Sequence, residues 1–291
     1  MYPASFDYFQ AENVEQASRL LREYGEEARV IAGGQSLIPF MKYRLALPKY
    51  LVDIRGIPGL SFIDKKDGCV RIGALTVHRE IEESDLIRSQ LPIMRDAAPL
   101  IGDPQVRNLG TLGGALCHAD PAGDWGPVVL ALEGRLKCVG ANGERELEAK
   151  DFFVDAYSTR LQPDEVLTEV VLPVPGAKSG GAYLKLARRT GDFAMASVAV
   201  QLTLDEAGVC QHIGIGAGAA GRTPLRVPDA EGVVRGEKIS ATVLKEAARR
   251  LSQAADPIPD LRGSGEYKRE ILKALLQRAA QIAASRCKER R

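Results

Sequence analysis

The sequence has few cysteines, no charge imbalance and no long apolar run, and each absence excludes a class of protein. Five cysteines are spread over 291 residues without a Cys-x-x-Cys pair, which predicts reduced thiols rather than disulfides or an iron–sulfur or zinc site. Lys and Arg number 39 against 38 Asp and Glu, so no basic excess favours nucleic acid or an anionic membrane. Neither a membrane span nor a signal peptide is recognisable. We therefore expect a cytoplasmic protein.

Two glycine-rich stretches carry the strongest local signal. In residues 30–37 an apolar run that predicts a strand leads to Gly33-Gly34 and then to Ser36, and residues 107–124 contain Gly113-Gly114. Glycine lets successive backbone N–H groups converge on oxygen anions at a distance that a Cβ atom would obstruct. Taken singly, each stretch also fits an ordinary tight turn. Taken together, they indicate a diphosphate group that is held from two sides.

Neither stretch matches the common nucleotide-binding fingerprints. The sequence contains no G-x-x-x-x-G-K-[S/T], and Gly33-Gly34 lacks the G-x-G-x-x-G spacing of a dinucleotide-binding turn. A P-loop NTPase and an ordinary NAD-binding Rossmann domain are therefore disfavoured. No acid–base or nucleophile constellation is visible either, which is typical of a protein whose chemistry belongs to a cofactor.

Hydrophobic periodicity and turn residues predict an α+β chain. Asn13 and Gly25 bracket a 3.6-residue apolar pattern, which predicts a capped helix. Ser36 is placed to cap the next helix, and residues 65–68 have the chemistry of a hairpin turn. The predicted helices cover 14–24, 37–45, 76–84, 90–101, 128–132, 241–254 and 265–287, and the predicted strands cover 28–31, 51–54, 60–63, 70–72, 136–139, 166–172, 182–188, 196–204 and 209–216.

Proline and glycine residues near 173–181 mark a boundary before the last third of the chain. A second boundary lies after residue 57, where the predicted elements change to short strands separated by turn residues. The two boundaries predict three units, over residues 1–57, 58–177 and 178–291. Apolar spacing in the final helix predicts a buried stripe, which consists of Tyr267, Ile271, Leu272, Leu275, Leu276, Ala279 and Ile282.

Both glycine stretches, and the residues around them, resemble a known family. The similarity lies in residues 30–37 with Met41-Lys42, in 105–108 leading to 111–114, in 120–124, and in 263–269 near the C-terminus. These segments are similar to the FAD-binding medium subunits of molybdenum hydroxylases, a group that includes carbon monoxide dehydrogenase and xanthine dehydrogenase. The resemblance covers nearly the whole chain. It implies a two-part FAD-binding domain of the vanillyl-alcohol-oxidase (PCMH) type, followed by a smaller C-terminal α+β domain.

The resemblance also implies which residues contact FAD. Residues 32–36 and 111–115 correspond to segments whose backbone amides wrap the diphosphate, and Asp124, Ile101 and Leu167 correspond to further contacts. Lys185 and Phe193 correspond to positions beside the flavin ring. Gln35 and Ala115 depart from the histidine and asparagine seen in relatives, which changes side-chain contacts without removing the amides. The complete expected set is Ala32, Gly33, Gly34, Gln35, Ser36, Leu37, Ile101, Thr111, Leu112, Gly113, Gly114, Ala115, Asp124, Leu167, Lys185 and Phe193.

The function that the resemblance implies is electron transfer within a complex. A large partner would carry the molybdenum cofactor, a small partner would carry [2Fe–2S] clusters, and FAD in this chain would pass electrons to an external acceptor, in a heterotrimer or a dimer of trimers. Two alternatives stay open. One is a self-sufficient FAD oxidoreductase related to UDP-N-acetylenolpyruvoylglucosamine reductase, and the other is a non-catalytic nucleotide-binding module.

Several of these side chains also have ordinary structural interpretations. Asp124 could cap the helix that follows it, Lys185 could be a solvated residue on a strand, and Phe193 could belong to the core. The three histidines are scattered, and we interpret them as structural or surface residues. His118 lies within the second glycine stretch and is the one histidine that merits mutation.

Overall fold

The computed structural model describes residues 2–289, and its N-terminal unit is a parallel three-stranded sheet of order β1-β3-β2. The first predicted helix is confirmed, because the Asn13 side chain accepts the Gln16 N–H and Gly25 ends the helix at φ +54°. The first glycine stretch connects the second strand to the second helix. The elements are β1 (Asp7–Gln10), α1 (Val14–Tyr24), β2 (Ala28–Ile31), α2 (Leu37–Lys42) and β3 (Tyr50–Asp53).

One capping expectation in this unit is wrong. Ser36 precedes α2, but its side chain caps nothing, because its backbone is already helical, at φ −108° and ψ −48°. A capping side chain needs an extended backbone at its own position to reach the N–H groups of the first turn. Ser36 lines a cavity instead.

The middle unit is built on an antiparallel five-stranded sheet of order β4-β5-β10-β6-β7. Most of its buried apolar residues form one core around Trp125, Ile72 and Leu136. The elements are β4 (Ile63–Lys66), β5 (Cys69–Gly73), α3 (His78–Glu83), α4 (Asp85–Gln90), α5 (Pro92–Ala97), α6 (Pro104–Leu109), α7 (Leu112–His118), α8 (Trp125–Ala131), β6 (Arg135–Gly140), β7 (Gly143–Glu148), α9 (Ala149–Phe152), β8 (Phe153–Asp155), β9 (Ser158–Thr159) and β10 (Val166–Pro173).

Element limits in the middle unit differ from the sequence prediction. The strand expected over 60–63 begins at Ile63 and includes both lysines of the predicted turn. The turn is reduced to Asp67-Gly68, which both have positive φ, as a two-residue hairpin turn requires. The helix expected over 90–101 is an α-helix only from Pro92 to Ala97. It begins at Pro92 because proline is tolerated in the first turn of a helix but not further along it.

The second glycine stretch is mostly helical, which the sequence did not predict. Asp103 caps α6 by accepting the Val106 N–H, and Thr111 caps α7 by accepting the Gly114 N–H. Only Gly110 and Thr111 lie between the two helices. Each of these capping side chains starts a helix. The stretch that the sequence predicts as a loop therefore forms two short helices with a short connection.

The C-terminal unit is an antiparallel four-stranded sheet of order β11-β12-β13-β14 with helices on one face. Residues alternate between its faces. Val198 and Val200 join the core beneath the helices, whereas Tyr183 and Ala199 pack into the core of the middle unit. The elements are β11 (Ser179–Leu186), β12 (Ala196–Leu204), β13 (Cys210–Gly218), β14 (Leu225–Arg226), α10 (Pro228–Val234), α11 (Ala241–Ala254) and α12 (Gly265–Glu289).

The buried stripe predicted for α12 is correct in its centre and wrong at its two ends. Leu272, Leu276 and Ala279 are fully buried, but Tyr267 is 51% exposed and Ile282 is 37% exposed. The helix packs against both α11 and the sheet. Its outer turns are buried through other residues, since Lys268, Ala283 and Cys287 are at most 3% exposed, so the error lies in which face was assigned to the core. None of the helices described over residues 2–289 has the length and apolar content needed to cross a bilayer.

Candidate cofactor site

A cavity of about 440 Å³ lies where the three units meet. Its walls come from the first glycine stretch, from α7 and the residues before it, and from the face of β11 that points towards the middle unit. Leu112 is the one expected site residue that does not line this cavity, because its side chain is fully buried in the core. The expected residues that line the cavity are Ala32, Gly33, Gly34, Gln35, Ser36, Leu37, Ile101, Thr111, Gly113, Gly114, Ala115, Asp124, Leu167, Lys185 and Phe193.

The first glycine stretch offers unused backbone donors to this cavity. Within residues 2–289, the N–H groups of Gly33, Gly34, Gln35 and Ser36 donate no hydrogen bond to another part of the chain. Gly34 has φ +72°, a left-handed conformation that favours glycine. Backbone N–H groups rarely stay unpaired when they are not in contact with water or a ligand. The stretch therefore has the properties of an anion-binding loop.

The two glycine stretches touch each other through Gly33. A Cβ atom on Gly33 would lie 1.9 Å from the Leu109 carbonyl oxygen and 2.9 Å from the Gly110 Cα atom. Opposite, a Cβ atom on Gly114 would approach Ala32 to 3.8 Å. The close approach of the two backbones thus depends on the absence of a side chain at Gly33.

The second stretch presents its amides differently. The N–H groups of Leu112 and Gly113 donate to the carbonyl oxygens of Thr76 and Ala74, and the Gly114 N–H donates to Thr111 Oγ1 at 3.0 Å. These donors are therefore already used inside the protein. This side of the cavity offers the Thr111 hydroxyl and the glycine surface, rather than a second set of free amides.

Asp124, Lys185 and Tyr183 form a buried polar cluster at the cavity wall. Tyr183 Oη donates to Asp124 Oδ1 at 2.6 Å, and Lys185 Nζ donates to Asp124 Oδ2 at 3.1 Å and to the Leu100 carbonyl at 2.9 Å. The side chains of Lys185 and Asp124 are 4% and 7% exposed. Lys185 is therefore not a solvated lysine, and the Asp124 side chain does not cap α8, although the residue precedes that helix.

Burial dominates the electrostatics of this cluster. It raises the pKa of Asp124 above its ordinary value, while the positive charge of Lys185 opposes that rise. It also raises the pKa of Tyr183 well above the ordinary tyrosine value, which keeps the hydroxyl protonated as the donor to Asp124. A charged residue in such a position depends on its partner for stability in the folded protein.

Phe193 is at the rim of the cavity and is 47% exposed, so it is not a core residue. Asp192 and Gly191 line the cavity beside it. A half-exposed aromatic ring at the entrance of a pocket can cover a ligand or stand aside from it.

Two histidines that the sequence did not assign to the site also line the cavity. His78 is buried, and its Nδ1 accepts the Trp125 Nε1–H at 3.1 Å. The His118 ring contacts the rings of Phe40 and Tyr157, with centroids 4.9 Å and 5.1 Å away. Nothing in the local sequence marks His78, because its partner Trp125 is 47 positions away.

His78 is expected to make folding stability sensitive to acid. Burial, together with the charge of Arg107, lowers the pKa of His78 from 6.5 to about 4. The unfolded chain therefore binds a proton that the folded chain rejects, and stability falls as the pH drops from 6.5 towards 4, by up to about 3 kcal/mol. Urea unfolding across this range should show a flatter profile in His78→Gln, and an unchanged profile would contradict this role.

The geometry of the cavity indicates a class of ligand. A cavity of this size with free amide donors, apolar walls and a buried ion pair suits an anionic organic cofactor. Over residues 2–289 no group of three or more His, Cys, Asp or Glu side chains is arranged to hold a metal ion.

Comparison with known proteins identifies the family. Residues 4–175 match the model described as "FAD binding domain in molybdopterin dehydrogenase", and residues 181–283 match "CO dehydrogenase flavoprotein C-terminal domain". The carbon monoxide dehydrogenase medium chain of Afipia carboxidovorans is 38% identical over 99% of this chain and 100% of its own length. The 6-hydroxypseudooxynicotine dehydrogenase complex subunit alpha of Paenarthrobacter nicotinovorans is also 38% identical, over 99% and 97%.

Solved structures agree with the sequence comparison. A chain of carbon monoxide dehydrogenase from Hydrogenophaga pseudoflava superposes with a TM-score of 0.97 at 38% identity, and the match covers 99% of this chain and all of that chain. The fold is that of an FAD-binding subunit. The chain belongs to the family of FAD-binding medium subunits of the molybdopterin dehydrogenases, also called molybdenum hydroxylases.

Proposed function

We propose that this chain receives electrons from [2Fe–2S] clusters of a partner subunit, and that its FAD passes them to an external acceptor. The main support for this proposal is the cavity, where the unused N–H groups of the first glycine stretch and the Asp124–Lys185 ion pair line the same site. FAD, when bound, supplies the capacity to accept and release electrons. The chain supplies the binding surface and its charge.

The residues present fit this cofactor. Gly33 keeps the two stretches in contact where a Cβ atom would push them apart, and the N–H groups of residues 33–36 are free to receive the diphosphate. Thr111 would add its hydroxyl from the other side. Lys185 and Phe193, with Ile101, would lie at the flavin ring, where the buried ion pair sets the local charge and the aromatic ring covers the entrance.

The partners follow from what the relatives are called. Two relatives are named as the medium chain or alpha subunit of a dehydrogenase, one of them explicitly of a complex. We infer a large molybdopterin subunit and a small [2Fe–2S] subunit for this chain as well, in a heterotrimer or a dimer of trimers. A cytoplasmic location remains a prediction, which cell fractionation would check.

The substrate class is not encoded in this subunit. Three relatives that are each 38% identical to the chain are named for 6-hydroxypseudooxynicotine, carbon monoxide and glyceraldehyde. Equal similarity to relatives with such different substrates indicates that the partner subunit makes the choice. A panel of aldehydes, N-heterocycles and carbon monoxide, tested on the co-purified complex, would assign it.

Purification tests the proposal. The chain purified from its native source should carry two partner polypeptides and show flavin absorption, and the chain purified alone should not reduce its flavin with any organic substrate of the panel. Substrate-dependent reduction by the isolated chain would instead establish a self-sufficient oxidoreductase. A colourless chain without partners would establish a nucleotide-binding module.

A further inference from the structure

The rim segment (residues 189–194) connects β11 to β12 and forms part of the cavity wall. It turns at Gly191, whose φ is +81° and where a Cβ atom would lie 2.7 Å from the Gly102 carbonyl oxygen. Asp192 then accepts the Phe193 N–H at 2.8 Å. Ala194 at the end of the segment is buried, but the Phe193 ring is 47% exposed, so burial holds this ring only in part. The position of this ring therefore depends on the polar contacts of its neighbours.

One such neighbour comes from a distant part of the chain. Arg262 Nη2 donates to Asp192 Oδ1 at 3.2 Å, and the Arg262 guanidinium carbon lies 6.0 Å from the centroid of the Phe193 ring. The second distance is at the outer limit for attraction between a cation and an aromatic face. A single guanidinium thus contacts both the side chain that orients the Phe193 backbone and the Phe193 ring itself.

Arg262 lies in a loop that several hydrogen bonds hold in place, the brace loop (residues 256–264), which precedes α12. Asp260 Oδ1 accepts the N–H groups of Arg262 at 2.8 Å and Gly263 at 3.2 Å. Lys268 of α12 is almost fully buried, donates to the Ile258 carbonyl at 2.7 Å and lies 3.0 Å from Asp260. A buried lysine that is satisfied within one loop fixes that loop onto the helix.

We propose that Arg262 is a positioning residue that holds Phe193 at the rim of the cavity and so controls how readily electron acceptors reach the flavin. Arg262 does not line the cavity itself. It affects the cofactor site through its contacts with Asp192 and Phe193. The effect on acceptor access rests on the proposed function. The contact between the rim segment and the brace loop does not depend on it.

The first experiment measures that contact without using the flavin. Amide hydrogen exchange of residues 190–194 should become about two- to fivefold faster in Arg262→Ala, in keeping with the modest strength of a partly exposed cation–aromatic and ion-pair contact. Arg262→Lys keeps the charge and should restore part of the protection. The control is Arg249→Ala, which removes a surface ion pair with Glu246 in α11 and should leave these amides as in the wild type. Unchanged exchange in Arg262→Ala would overturn the proposal.

The second experiment measures access to the flavin. The purified protein is reduced with dithionite and mixed with oxygen in a stopped-flow instrument. Reoxidation should be about two- to fivefold faster in Arg262→Ala, at wild-type FAD content. In a Phe193→Ala background the same substitution should add nothing, because the ring through which Arg262 acts is gone. Equal rates in wild type and Arg262→Ala, or a full additional effect in the Phe193→Ala background, would overturn the proposal.

The two experiments separate this inference from the proposed function. Wild-type protein without FAD would refute the proposed function, while the exchange measurement would still decide whether Arg262 holds the rim segment. Wild-type protein with FAD and with no response to Arg262→Ala would refute this inference alone.

Discussion

Gly33→Ala is expected to abolish FAD binding while the protein stays folded. The added Cβ atom would meet the Leu109 carbonyl oxygen at 1.9 Å and its carbon at 2.7 Å. Both are backbone atoms, so no side chain can rotate away, and the two glycine stretches must separate. Separation removes several hydrogen bonds to a charged group together, and affinity should fall by at least about 100-fold. FAD content and isothermal titration of the apoprotein measure the loss.

A matched glycine controls for the loss of backbone freedom. Gly176 has no atom within 4 Å of an added Cβ and has no left-handed φ, so Gly176→Ala should retain FAD and stability. Far-UV circular dichroism should be the same in both variants. Stoichiometric FAD in Gly33→Ala would show that the contact between the two stretches does not shape the site.

Gly34→Val tests the same loop by a different route. An added Cβ atom there would lie 2.7 Å from the end of the flexible Ile38 side chain. The main effect is therefore the strain of a β-branched residue at φ +72°. Gly59 has φ +79° and open space around it, and Gly59→Val therefore carries similar strain away from the cavity. We expect FAD loss in Gly34→Val alone. Equal loss in both variants would mean that strain acts through overall stability. Gly113 is a poorer target, because it is buried against Ala74.

The second large effect concerns the buried ion pair. Lys185→Met should lower the free energy of unfolding by about 3–5 kcal/mol, because it leaves the Asp124 carboxylate buried without its cation. The double variant Lys185→Met/Asp124→Asn should recover most of that loss, since the asparagine oxygen can still accept the Tyr183 hydroxyl. Lys150→Met, which removes an exposed pair with Glu148, should change little. Urea unfolding of the apoproteins measures all three.

The pH dependence of this loss has a definite sign. Burial raises the pKa of Asp124 in the folded protein. The stability linked to this group is therefore present when the pH is below the pKa of Asp124 in the unfolded chain, and it is lost as the pH rises through the pKa in the folded protein. Without Lys185 that loss extends to higher pH. The difference in the free energy of unfolding between wild type and Lys185→Met should therefore become smaller as the pH falls from about 7 towards about 4. A constant gap, or no recovery in the double variant, would show that Lys185 contributes packing rather than charge.

The sequence by itself determined the local elements and the type of protein. Asn13 and Gly25 mark the ends of α1, and both residues act through groups within four positions along the chain. The double glycine after β2 indicated an anion-binding loop, and its N–H groups are unused in the fold. Such features are readable because capping, helical periodicity and turn chemistry depend on neighbouring residues alone.

Only the tertiary structure decided how the site is assembled. Asp124 meets Lys185 across 61 positions, and Asp192 meets Arg262 across 70. The amides of the second glycine stretch looked as available as those of the first, yet Ala74 and Thr76 already accept two of them. These contacts depend on which face of a strand points to which core and on how closely two backbones approach. Neither property is encoded by residue spacing, because strand register and packing are set by the fold as a whole.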